Sequence, residues 1–331
     1  MVADGLGDAH EAGVRIIDAG SVAGRVRRML RSTRRVFEVA RQLDAGIYHL
    51  HDPELIPAGL QLKRMGKTVI FDAHEDVPLQ LLSKPYLNRP LRHLAARAFS
   101  AYEVYACRQF DGVVAATPFI ADKFRRINPN TVDVNNYPLA SEFDAGAIWA
   151  RKQREVCYVG SISAVRGIRE LVRAFALMHS GAQLALAGSF SEAALETEVR
   201  GYHGWHKVRS LAHQDRAGVR AVMARAMAGL VTLHPQRNYL DALPVKMFEY
   251  MAAGIPVIAS DFPLWRDIVL GSGCGLCVDP LDPAAIAAAV DQLVTHPAQA
   301  MEMGQRGRRA ILDTYNWPTE SAKLIRFYDA L

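Results

Sequence analysis

The chain has 331 residues, half of them hydrophobic and 22% charged, which suffices for two domains with a core each. No run approaches the ~18 to 20 apolar residues of a membrane span, no signal-peptide pattern opens the chain, and four cysteines do not make a disulfide framework. A cytoplasmic protein is expected, and its net charge of +5 fits a polyanionic ligand or an anionic membrane surface without choosing between them. No nucleic-acid partner is expected.

Near the N-terminus, Gly5, Gly7 and Gly13 surround one short apolar run, Val14 to Ile17, which reads as an edge strand. Arg25 to Arg41 then carries seven arginines against one glutamate, interleaved with Val26, Met29, Leu30, Val36, Phe37 and Ala40. This is an amphipathic helix or pair of helices with a basic face. The face is either solvated or suited to anionic lipid headgroups, where each arginine contributes ~1 kcal/mol.

Strands and helices alternate from there on. Strands are predicted at Gly46–His51, Thr68–His74 and Gly112–Thr117, and after the turn-rich NNYPLASEFD at Glu155–Gly160, Gln183–Gly188, Gly229–His234, Ile255–Ser260 and Leu276–Asp279. Helices are predicted at Gly167–His179 and Arg216–Ala228, after the Asp282-Pro283 start signal, and at Thr319–Leu331. The alternation argues for two doubly wound α/β domains. The break falls between Asn135 and Arg151, giving an N-terminal domain 1–145, a C-terminal domain 146–315 and a last helix in 316–331.

Polar and glycine residues gather at the predicted strand ends: His49 and His51, Asp72 and His74, Thr117, Gly160 and Ser161, Gly188, His234, Ser260 and Asp261. Open parallel sheets bind ligands beyond those ends, so these residues mark a cleft. The segments IYHLHDPEL and VIFDAHEDVP each close a strand on histidine and acid. Such histidines are commonly structural, and His-x-His-Asp beside Asp-x-His-Glu also invites a metal reading. Cys274 and Cys277 form a C-x-x-C without a second pair, which gives no zinc site.

Two segments carry the chemistry. In DALPVKMFEYMAAGIPVIASD, Asp241 to Asp261, Pro244 suits a first helical turn, Gly254 a C-terminal cap, and Ile255–Ser260 a strand buried on both faces. A helix start with Lys246 in its first turn suits phosphate. Asp241 and Glu249 add carboxylates, which accept hydrogen bonds from hydroxyls. A ligand with phosphate and several hydroxyls, a nucleotide sugar, satisfies both. Alternatively Asp241 caps the helix and Lys246 pairs with Glu249 on the surface; Met247, Phe248 and Met251 are core on either view. In CYVGSISAVRGIREL, Cys157 to Leu171, Gly160 permits close backbone approach and Arg166 can pair with a diphosphate.

Asp241 and Glu249, with seven residues between them and followed by AAGIPVIAS, resemble the signature of retaining GT-B glycosyltransferases of family four, group 1. The resemblance implies two Rossmann-like domains facing across a cleft, the last helix packing back on the first domain. It implies that Glu249 holds the ribose hydroxyls, Asp241 approaches the donor sugar, and Gly160, Ser161 and Arg166 meet the diphosphate, Lys246 supplying the positive charge that Ser161 lacks. Ser161 stands where the family has arginine, and Asp241 where it has glutamate. VRSLAHQDR matches the loop whose main chain reads the base, commonly uracil, and places Ser210, Leu211 and Ala212 there. By the same resemblance His74 contacts the donor sugar at the reacting centre, and His51, Asp52, Glu54 and Glu75 line the acceptor side. No cofactor or metal is needed.

The implied function is transfer of a sugar from a nucleoside diphosphate sugar to a saccharide or lipid-linked acceptor in cell-surface polysaccharide or lipopolysaccharide synthesis, on the inner face of the membrane. A GT-B nucleotide-sugar epimerase, or a donor-binding paralogue without transfer, shares these features. The family's first strand, turn and helix have no counterpart before VADG, so the N-terminal domain is expected to be incomplete and transfer slow.

Overall fold

Apolar runs that alternate between two covered faces build the sheets. In β8 (Glu155–Val159) and β9 (Gln183–Ala187) in the C-terminal half, Val156, Tyr158, Leu184 and Leu186 join one buried cluster, and Cys157, Val159, Ala185 and Ala187 the other. Both faces being covered by helices, the strands read as continuous hydrophobic runs. The computed structural model describes residues 2–3, 7–20, 25–83, 88–143 and 149–331, the side chains of 2–3, 25–30 and 83 lying outside that description. The chain forms two compact units, Met1–Asn135 with Lys323–Leu331, and Asn136–Ala322.

In the first unit, β1 (Val2–Ala3), β2 (Ala9–Glu11) and β3 (Val14–Asp18) form a small sheet of order β1-β3-β2. The run at Val14 is thus the central strand and not an edge. β2 and β3 pair as a hairpin whose turn, Ala12 and Gly13, has both residues at positive φ, the mirror-image turn that follows strand twist. A separate parallel sheet runs in the order β4 (Ile47–Leu50), β5 (Thr68–Ala73), β6 (Gly112–Ala115), β7 (Thr131–Asp133). Strand β5 is buried from Val69 to Ala73. Lys323 pairs with Asp133 at 3.0 Å and Phe327 is buried beside Gly112, which ties the chain's end into this unit.

The second unit adds β10 (Val208–Ser210), β11 (Ala228–Val231), β12 (Val257–Ser260) and β13 (Gly275–Val278) to β8 and β9. All six are parallel in the order β10-β9-β8-β11-β12-β13, which is the 3-2-1-4-5-6 order of a dinucleotide-binding sheet. Its switch point lies between β8 and β11, where the order of travel reverses. The unit starts at Asn136, before the expected break at 145. The reason is packing: Phe143 is buried in its core, and Tyr137 meets Phe248 and Tyr315 edge-on at 4.7 and 5.4 Å.

Candidate active site

Helix Val245–Ala252 starts one residue later than expected, with Pro244 as its N-cap, and ends on Gly254 at φ 68. Gly254 and Ile255 donate to the Met251 and Tyr250 carbonyls, the bond pair of a left-handed helix end. Met247, Phe248 and Met251 are fully buried. No side chain caps the helix start, so backbone N–H groups there remain for another acceptor.

Lys246 and Glu249 share a helix face but no contact. The Lys246 amine is buried without a hydrogen-bond partner and lies 3.9 Å from the Tyr158 ring centroid. Burial, with the Arg166 charge second, pushes it down to about 7. Gly160, at φ 113, leaves the space beside it: a Cβ there would sit 3.3 Å from Nζ. Arg166 donates to the Ser161 carbonyl at 3.0 Å, and the Tyr158 hydroxyl donates to the same oxygen at 2.8 Å. His234 N–H donates to the Val165 carbonyl at 2.9 Å and pins the loop to the end of β11. Gly160, Ser161, Arg166 and Lys246 therefore converge at the switch point of one sheet, a place suited to a polyphosphate.

Glu249, 8% exposed, is engaged by Arg216, whose Nη1 lies 2.5 Å from Oε1; the other arm of Arg216 pairs with Glu142. This replaces the surface pair with Lys246. Arg216, Glu249 and Glu142 line a cleft of about 340 Å³ with Tyr137, Val245 and Trp317. Asp241 does not cap this helix; it closes the short helix Arg237–Leu240 and is half-buried.

Ser210 ends the unforeseen strand β10, and the loop after it is fixed through its backbone: Leu211 donates to Leu186, and the Ala212 carbonyl, at φ 52, accepts from Gly188 N–H at 2.7 Å.

In the first unit, register places Leu50 beside Phe71, so His51 falls level with Asp72. His49 Nε2, His51 Nδ1 and His74 Nε2 lie 3.3, 3.2 and 3.6 Å from one oxygen of Asp72. Burial works against the Asp72 charge, yet contacts with His49 and His51 hold its carboxyl down at about 2. The His51 imidazole is raised above its ordinary value by Asp72. Asp52, Glu54 and Glu75 are exposed around this cluster's segments.

Several strand-end residues prove structural. Thr117 caps helix Pro118–Arg125 by accepting from Ile120 N–H, buried Ser260 donates to the Leu233 carbonyl, His234 meets Glu170 at 2.9 Å, and Asp261 pairs with Arg266. Cys274 and Cys277 are free thiols pushed up to about 12 and about 11 by burial, which makes them poor nucleophiles at neutral pH. Tyr158, Arg216 and Tyr328 were not foreseen; each reaches its partner across a long sequence separation, and only the fold brings them together.

Residues 142–310 match the family described as Glycosyl transferases group 1, and residues 3–140 a Glycosyl transferase 4-like domain. A glycogen synthase of Mycobacterium tuberculosis is 24% identical over 311 residues, 83% of this chain and 73% of that protein. A GDP-mannose-dependent alpha-(1-6)-phosphatidylinositol monomannoside mannosyltransferase of Mycolicibacterium smegmatis is 35% identical over 85 residues, 26% of this chain and 22% of that one. Among solved structures, sucrose-phosphate synthase from Thermosynechococcus elongatus superposes with TM-score 0.77 at 21% identity, covering 97% and 84% of the two chains. The Anabaena protein HepE in complex with UDP gives 0.73 at 12% identity, covering 95% and 86%. The chain has the GT-B fold and belongs to the glycosyl transferases group 1 family.

Proposed function

We propose that this glycosyltransferase takes a nucleoside diphosphate sugar, a UDP-sugar, and transfers its sugar with retention to the hydroxyl of a lipid-linked or saccharide acceptor in cell-surface polysaccharide or lipopolysaccharide synthesis. One observation carries the donor half: the buried Lys246 amine, without a hydrogen-bond partner, beside Gly160, Arg166 and an uncapped helix start. Burying an amine without a partner is costly, and a diphosphate would offset that cost. Glu249 holds the ribose hydroxyls, since a carboxylate offers about four acceptor sites and Arg216 occupies only part of them. Asp241 approaches the donor sugar, and Ser210 to Ala212 meet the base through their main chain. His74 is assigned the sugar contact at the reacting centre, with His51, Asp52, Glu54 and Glu75 on the acceptor side. The UDP held by HepE supports uracil.

Calorimetry with UDP and GDP tests the assignment. Glu249→Ala is expected to weaken UDP binding by roughly tenfold, the loss of a charged hydrogen-bond acceptor. Asp241→Ala is expected to keep UDP affinity and lower turnover by about 100-fold, since its contact matters as charge develops. Equal loss of UDP affinity in both variants, or tighter binding of GDP, removes the assignment.

Peripheral attachment to an anionic membrane surface belongs to the same proposal. Arg25, Arg27 and Arg28 lie outside the described side chains, but Arg31, Arg34, Arg35 and Arg41 are exposed on helix Arg25–Leu43, with only Glu38 set against them. No helix of the described residues is long and apolar enough to cross a membrane. Co-sedimentation with phosphatidylserine liposomes at low salt is expected, falling when Arg31, Arg34 and Arg35 become glutamine. Sedimentation that ignores those changes returns the helix to a solvated face.

A further inference from the structure

We propose that the histidine cluster at the carboxyl ends of β4 and β5 binds one divalent transition-metal ion of the zinc class, through His49 Nε2, His51 Nδ1 and Asp72, with His74 within reach as a fourth ligand. The spacing is the first support. The ligand atoms of His49, His51 and Asp72 all lie within 4.8 Å of one another, and the three imidazole nitrogens stand 3.2 to 3.6 Å from the same carboxylate oxygen. A tetrahedral ion with bonds of about 2.0–2.2 Å needs ligand atoms roughly 3.3–3.6 Å apart, and the three nitrogen-to-carboxylate distances already stand close to that length.

The backbone sets this spacing before any ion arrives. His49 and His51, two residues apart, leave the strand on the same side, and the parallel register carries Asp72 to the level of His51. Their rings stack nearly parallel, with centroids 4.6 Å apart.

The second support is independent of spacing. His49 Nε2 is buried and faces the Asp72 carboxylate at 3.3 Å. The opposite nitrogen of the same ring, Nδ1, is engaged by the Tyr328 hydroxyl. A ligating histidine is commonly oriented in this way, one nitrogen held by a hydrogen-bonding neighbour and the other kept for the metal. His51 is 61% and His74 43% exposed, so an ion has a way in. Imidazole nitrogens outnumber the single carboxylate, which selects zinc, cobalt or nickel over magnesium or calcium, both of which prefer oxygen ligands.

Ion binding does not depend on the function proposed above. Its consequence does: an ion on His51 and His74 would occupy side chains assigned to the sugar and the acceptor, and would inhibit transfer without touching UDP binding.

The chain, stripped with chelator, is titrated with Co2+ and with Zn2+ by equilibrium dialysis, the cobalt complex being read by its visible ligand-field absorption. One ion per chain and a tetrahedral cobalt spectrum are expected. His51→Gln and Asp72→Asn are expected to lower the affinity by at least ~100-fold, and Tyr328→Phe by about tenfold. His51 is exposed, so the first variant should fold even where Asp72→Asn does not; circular dichroism and UDP calorimetry report that. His203→Gln with His206→Gln, an exposed pair in the second unit with rings 5.3 Å apart, should change nothing. No saturable binding, or binding that survives His51→Gln and is lost with the His203 and His206 changes, overturns the proposal. In that event the three imidazoles serve only to neutralise Asp72.

Discussion

Lys246→Met is expected to weaken UDP binding by roughly 30- to 100-fold near neutral pH, the size of a lost charged hydrogen bond to phosphate. The same change is expected to make the protein without nucleotide more stable. The amine stands at about 7, lowered from 10.5 by burial and then by Arg166; the other groups near it are Tyr158, Cys157 and Glu249. A lysine whose folded value is depressed binds fewer protons folded than unfolded in the window between the two values. The destabilising charge is therefore fully present below about pH 7, and its cost fades as pH rises toward 10.5. Urea denaturation should show the variant ahead of the wild type at pH 6, with the gap closing by pH 10. Donor binding runs in the opposite sense. A diphosphate favours the charged amine, so wild-type affinity for UDP should fall as pH climbs above about 7, while Lys246→Met stays flat. Calorimetry in buffers of different ionisation heat should register proton uptake on binding in the wild type alone. A wild-type affinity that is level from pH 6 to 9 would refute the assignment of this amine to phosphate.

The sequence makes element type legible where burial is strongest. Nine strands are foreseen from apolar runs, and each is present with its ends shifted by up to three residues. Strands β1, β2, β7 and β10 escape because two or three residues are too few to display a period, and β10 lies in a segment already read as a loop. The convergence of Gly160, Ser161, Arg166 and Lys246 at the carboxyl end of β8 was legible too. Their partners were not. Helical spacing puts Lys246 and Glu249 on one face, but a weak surface pair yields to whatever the fold brings near. Here that is the Tyr158 ring for one and Arg216 for the other. For the same reason the strand-end polar residues divide by tertiary partner: Thr117 and Ser260 satisfy neighbouring backbone, while His49, His51 and His74 gather on Asp72.

The backbone that carries Arg166 leads to the second large effect. Gly167 joins the turn Ala164–Arg166 to helix Ile168–Leu177 and stands at φ 78, a conformation that strains any residue with a Cβ. A Cβ there would fall 2.2 Å from the carbonyl oxygen of Thr232, a residue buried completely at the end of β11. Neither side can give way easily. The helix is anchored by Ile168, Leu171, Val172 and Phe175 in the core, and Thr232 by a central strand. Gly167→Ala is therefore expected to cost about 3–5 kcal/mol, of which about 1–2 is backbone strain and the rest the forced separation of packed elements. Gly181→Ala supplies the comparison, because Gly181 has nearly the same φ, 71, with nothing within 4 Å of the added carbon. Its cost should stop at about 1–2 kcal/mol, the strain alone. Urea midpoints of the two variants separate the contributions, and equal losses would mean that the Thr232 contact relaxes freely. The variant that does fold should also bind UDP more weakly, because a shift at Gly167 moves Arg166, its immediate neighbour, away from the Ser161 carbonyl and from Lys246.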